Sequence, residues 1–185
     1  MDNRPIGIMD SGVGGLTVAC VLKEKYPNEK FIFIGDTARN PYGNKSPEEV
    51  TFFAEEMKAF LAGKQVKMII AACNTITFSV PPSFFEGKIP VIGMSLDFPE
   101  LESVNHLAVI GTPMTTRSHR HRDRLKKDFP LMNVTEIPID GLAYAIEMGK
   151  EESFIYRMIN KAVQKAGAES VDAAVLACTH SVSYT

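Results

Sequence analysis

The chain contains three cysteines in 185 residues, and two of them recur in one setting. Cys73 ends the apolar run Ile69-Ile70-Ala71-Ala72 and is followed by Asn74-Thr75. Cys178 ends Ala174-Val175-Leu176-Ala177 and is followed by Thr179-His180. Each thiol thus stands just past a short apolar run, with hydrogen-bonding side chains after it. In an open α/β sheet that position is the carboxyl end of a strand, where ligands bind. One cysteine so placed reads as packing. Two in matched settings, 105 residues apart, predict a pair of thiols facing each other across a cleft. Cys20 lies among Leu16, Val18, Ala19, Val21 and Leu22 and reads as a core filler. So sparse and odd a set does not make a disulfide framework.

A second chemical signal is Asp10-Ser11-Gly12-Val13-Gly14-Gly15-Leu16-Thr17, which follows an apolar run and opens a helical pattern. Backbone amides at such a turn, with the positive helix end behind them, predict that something negative binds there. Gly12-Val13-Gly14 resembles the start of a dinucleotide fingerprint, and Asp36 stands where a ribose-binding acid would. Thr17 at the sixth position and the acidic Asp10 at the mouth argue against a nicotinamide cofactor. Cys73, Cys178, His180 and Asp10 are chemically acceptable zinc ligands, but they lack the close C-x-x-C pair typical of zinc sites, so no metal is expected. The basic stretch from Arg117 to Lys127 has no interleaved aromatic residues. It reads as the solvated face of a helix rather than a nucleic-acid surface, and His119 and His121, two apart, do not share a helix face.

These residues need elements to position them. Apolar runs at 6–9, 31–34, 68–72, 91–94, 107–110, 134–137 and 173–177 read as strands buried on both faces. Between the second and third, Ser46-Pro47-Glu48-Glu49 supplies an N-cap, a first-turn proline and a capping-box glutamate. Val50, Phe53, Ala54, Met57, Phe60 and Leu61 follow the helical period, and Gly63 closes the helix. The alternation predicts an α/β protein with parallel sheets. The cysteine repeat is matched by a second one, since the run ending at Met9-Asp10 resembles the run ending at Ile110-Gly111, 101 residues on. Two similar offsets predict two similar lobes, 1–95 and 96–185, with strand ends facing one cleft.

Composition agrees with an ordinary globular protein: 45% apolar, 23% charged, formal net charge −2. That balance gives no reason to expect nucleic acid. No run approaches 18 apolar residues and no signal-peptide core is present, so a cytoplasmic protein with no membrane partner is expected.

With these residues in place, the sequence resembles the glutamate racemases of the cofactor-independent Asp/Glu racemase superfamily. The resemblance rests on Asp10-Ser11-Gly12-Val13-Gly14-Gly15-Leu16-Thr17-Val18, on Gly35-Asp36-Thr37-Ala38-Arg39-Asn40-Pro41-Tyr42-Gly43, on Ala72-Cys73-Asn74-Thr75 and on Ala177-Cys178-Thr179-His180. A weaker match is Gly111 to Ser118. The resemblance implies interconversion of L- and D-glutamate, supplying D-glutamate for peptidoglycan, with no cofactor and with a homodimer as one assembly open to it. Cys73 and Cys178 would act as acid and base on opposite faces of the substrate Cα, assisted by Asp10 and His180. Ser11, Tyr42, Gly43, Asn74, Thr75 and Thr179, with Asp10 and His180, would hold the substrate's charged groups. Glu147-Met148-Gly149 loosely matches the family's acidic stretch, which makes Glu147 a further assisting acid. Two other readings stand beside this one: an aspartate racemase, whose substrate differs by one methylene, worth about 1–3 kcal/mol in a pocket, and a racemase-like binding protein without turnover. After Cys178 only seven residues remain, against eighteen from Cys73 to the next strand at Val91. The repeat therefore predicts an incomplete second lobe with an open sheet edge, and poorly held Cys178 and His180.

Overall fold

The computed structural model describes residues 2–98 and 101–182. The closing residues 183–185, on which the expectation of an incomplete lobe partly rests, lie outside the described residues. The first half runs β1 (Ile6–Asp10), α1 (Leu16–Lys25), β2 (Phe31–Gly35), α2 (Pro47–Gly63), β3 (Met68–Ala71), α3 (Asn74–Ser79) and β4 (Val91–Ile92). The second runs β5 (His106–Gly111), α4 (Pro113–Arg117), α5 (Arg120–Asp128), β6 (Asn133–Pro138), α6 (Leu142–Glu147), α7 (Glu152–Lys165), β7 (Ala173–Ala177) and α8 (Thr179–Val182). Every apolar run read as a strand is one, within two residues at each end.

The strands form two parallel sheets, ordered β2-β1-β3-β4 and β6-β5-β7. The repeat is visible in that order. β1 lies between β2 and β3 as β5 lies between β6 and β7, with Met9 level with Ala71 and Gly111 level with Ala177. Central β1 is buried at all five positions. The edge strands β2 and β7 are mostly half-buried, which corrects the expectation of burial on both faces, because an edge strand has a neighbour on one side only.

α2 starts as its sequence directs: Ser46 Oγ accepts from the Glu49 amide, Glu49 returns a bond to the Ser46 amide, and Pro47 fills the first turn. Its stripe Val50, Ala54, Met57 and Leu61 is buried against the first sheet beside Met9, Ile69 and Ala71. Gly63 is the last helical residue, but the left-handed turn falls two residues later, at Gln65 (φ 55°). The second sheet has a core on each face. Ile137, Leu142 and Ile155 pack on one side, and Leu107, Val109 and Leu125 on the other.

Two readings need correction. Cys20 is exposed, and α1 has no fully buried residue. Its apolar side chains spread around the helix, and Val21 is 62% exposed, so nothing covers the face that holds Cys20. The basic stretch is not one solvated helix either. His119, at φ 55°, separates α4 from α5, and His121 turns inward to 3% exposure, its ring 4.9 Å from that of Phe78. Burial among these rings pushes its pKa down to about 4. No described helix is long and apolar enough to cross a membrane.

Candidate active site

Parallel strands deliver their carboxyl ends to one side of each sheet, and the two sheets turn those sides toward each other. One cavity between them is lined by Ser11, Tyr42, Gly43, Cys73, Asn74 and Thr75 from the first half and by Cys178, Thr179 and His180 from the second. The remaining expected residue, Asp10, ends β1 and is fully buried behind this lining. Asn40, Pro41, Thr112, Ala143 and Ala177 also line the cavity. Of these, Thr112 has a visible cue in its Gly-Thr-Pro match, and it meets Thr75 hydroxyl to hydroxyl at 3.0 Å across the cleft.

On one wall Cys73 is 4% exposed and its Sγ lies 3.4 Å from Ser11 Oγ. Burial pushes its thiol up to about 12, and the nearby Asp10 charge pushes the same way. Cys73 is therefore a protonated thiol at neutral pH. Ser11 and the Ile76 amide are its hydrogen-bond partners, and Asp10 acts on it through charge.

Asp10 also revises the reading of the glycine turn. Its Oδ2 accepts the Gly12 amide at 3.0 Å and its Oδ1 takes a 3.4 Å contact from the Thr179 hydroxyl. The turn thus gives at least its Gly12 amide to a carboxyl group of the chain itself. Burial raises its pKa against these bonds.

On the opposite wall Cys178 is half-buried, and its Sγ stands 4.0 Å from His180 Nδ1. His180 is 3% exposed and its Nε2 is 3.0 Å from Glu147 Oε2. Burial would lower its pKa, but Cys178, Asp10 and Glu147 together outweigh burial and lift it to about 9. The expected poor hold on His180 is not seen: α8 and Glu147 fix it. Glu147 is not part of the cavity lining and meets the site through His180 Nε2.

Tyr42 lines the cavity. Its ring is buried and its hydroxyl donates to Asp36 Oδ2 at 2.5 Å, so that hydroxyl is committed within the fold. Asp36 also accepts from Arg39 at 2.5 Å, which leaves it no role toward a ribose. Among the described residues no group of three or more His, Cys, Asp and Glu is arranged to hold a metal ion.

The raised His180 pKa gives a pH dependence of definite sign. Its folded value of about 9 exceeds its ordinary 6.5, so its contribution to stability is complete below about pH 6.5 and is lost as pH rises through 9. Thermal melts should show a falling melting temperature over that interval, and His180→Asn should flatten the fall. An unchanged slope in the variant would assign it elsewhere.

The chain is similar in sequence to curated glutamate racemases. Glutamate racemase of Streptococcus thermophilus is 38% identical over 97% of this chain, which covers 68% of the relative. Glutamate racemase of Lactobacillus helveticus is also 38% identical, with 69% of it covered.

The chain belongs to the glutamate racemase family.

The fold agrees. The crystal structure of the family member from Francisella tularensis, in complex with D-glutamate, superposes with a TM-score of 0.84 at 35% identity over 97% of this chain and 70% of that one. No family model matches the chain. Within the family frame, the two thiols and their polar neighbours are the residues whose chemistry needs explaining.

Proposed function

We propose that the chain interconverts L- and D-glutamate by proton transfer between Cα and two thiols. The observation that supports this most directly is that Cys73 and Cys178, from different sheets, line one cavity with different electrostatic settings. Inverting a stereocentre without a cofactor requires a base on one face and an acid on the other. The buried Cys73 holds its proton and is the acid of the resting protein. Cys178, 4.0 Å from His180 Nδ1, takes the other half of the exchange, removal of the α proton. The roles exchange in the reverse direction. The carbanion would be stabilised by fixed donors in a cleft closed to water, from Ser11, Asn74, Thr75 and Thr179. Residues 1–95 and 96–185 then act as two lobes, each supplying one wall, with D-glutamate for peptidoglycan as the product in a bacterium.

The test is direct. Incubated with L-glutamate in D2O, the protein should give D-glutamate and α-deuterium in both enantiomers. Absence of both at high protein concentration would end the racemase reading, and faster exchange with aspartate than with glutamate would move it to the other acid.

A further inference from the structure

Glu147 Oε2 accepts two hydrogen bonds, from His180 Nε2 at 3.0 Å and from Asn40 Nδ2. The two donors belong to different halves of the chain. His180 follows β7, whereas Asn40 sits in the loop after β2. Arg39 and Tyr42 both hold Asp36, so the segment that presents Asn40 is pinned on either side of it. Glu147 is the last residue of α6, where the negative helix end opposes a carboxylate. Without a second donor, nothing on α6 favours the rotamer that faces His180.

Gly12 closes over this group. A Cβ there would lie 2.7 Å from Glu147 Oε2, 3.0 Å from Asn40 Nδ2 and 3.2 Å from His180 Nε2. The three polar atoms therefore meet at one point, packed under a backbone that leaves no room for a side chain.

We propose that Asn40 is a positioning residue for the Cys178 side of the site: its amide, reaching across the cleft, fixes the Glu147 carboxylate, which in turn orients His180 at Cys178. The inference rests on the racemase reading. When His180 is neutral, the Glu147 acceptor keeps the remaining proton on Nε2, so Nδ1 is the nitrogen that can take a proton from the Cys178 thiol. The titratable residues acting on the imidazole include Glu147, Asp10 and Cys178. Asn40 sets which of them holds it, and it makes that bond only while the two halves are together.

A double-mutant cycle tests this. Asn40→Ala should lower kcat/KM for glutamate by about 10- to 100-fold, the loss expected when a reacting group is misplaced. In a Glu147→Ala background the same change should cost nothing further. The loss should be equal for both enantiomers, whose equilibrium constant is one. An equal loss in both backgrounds, or none in either, would overturn the proposal; a substrate contact or simple packing predicts the former. Nuclear magnetic resonance of the His180 imidazole adds a readout independent of turnover: its titration midpoint should move down alike in Asn40→Ala and Glu147→Ala. An unmoved midpoint in Asn40→Ala overturns the proposal. If Asn40→Ala does not fold, Gly12→Ala, which wedges the same three atoms, should reproduce the shift and lose it in the Glu147→Ala background. A parent protein without racemisation defeats the proposed function and leaves the titration to decide the role of Asn40.

Discussion

Serine at position 73 or at position 178 should each lower racemisation by at least about a thousandfold, since each removes one of two general acid–base groups. The substitution removes little volume and keeps a hydroxyl, so a folded variant with lost turnover isolates the thiol chemistry. Serine holds its proton far more tightly than cysteine and is poor at both halves of the exchange. Cys20→Ser is the internal control. Cys20 is exposed on α1, so full activity and a change in stability within about 0.5 kcal/mol are expected. Polarimetry on purified variants, with near-ultraviolet circular dichroism to verify folding, gives the comparison. A Cys20→Ser protein as inactive as the other two would show that the wrong thiols had been chosen.

Gly14→Ala should be the most damaging single methyl group in the site. A Cβ at Gly14 would lie 2.5 Å from Thr179 Oγ1, 2.7 Å from His180 Nδ1 and 2.9 Å from the His180 backbone nitrogen. The backbone nitrogen cannot rotate away, so α8 must shift, and with it the spacing of His180 and Cys178. Overpacking of this kind costs about 1–3 kcal/mol. If the shift of α8 is the whole relief, kcat/KM falls about 5- to 150-fold while the first sheet keeps its core. Kinetics and thermal melts on one preparation separate the two effects. An unchanged kcat/KM would mean that the contact between the glycine turn and α8 is not part of the working site.

The elements were legible in the sequence because their signals are local. A short β-branched run between helical patterns needs no distant information to be read as a strand, and Ser46-Pro47-Glu48-Glu49 carries its own capping chemistry. The two thiols were legible because the fold repeats, which turned two weak signals into one strong one. Misread positions share a different cause. Cys20 has apolar neighbours along the chain, but exposure depends on what lies over α1. His121 belongs to a basic stretch, but Phe78 from the other half meets it. The glycine turn looked like an anion site, and the Gly12 amide of that turn is given to Asp10 of the same chain. Asn40 and Glu147 are 107 residues apart, and no local pattern pairs an amide with a carboxylate at that distance.

Among the described elements the chain changes sheet once, between β4 and β5, and the cross-cleft bonds described above are made by side chains: Asn40 to Glu147, Thr75 to Thr112, and Thr179 to Asp10. The cavity they enclose has a free volume of about 10 Å³, room for about one water. A five-carbon diacid is larger than that space, and a parting of the halves would admit it. Parting them breaks side-chain bonds, each worth about 1 kcal/mol net, and ring packing such as that of Phe78 on His121, and leaves both sheets whole. Such breathing of packed halves runs on the microsecond to millisecond scale. If the halves part in every cycle, turnover should slow as solvent viscosity rises, which makes viscosity a lever on the rate alongside the chemistry of sulfur and carbon.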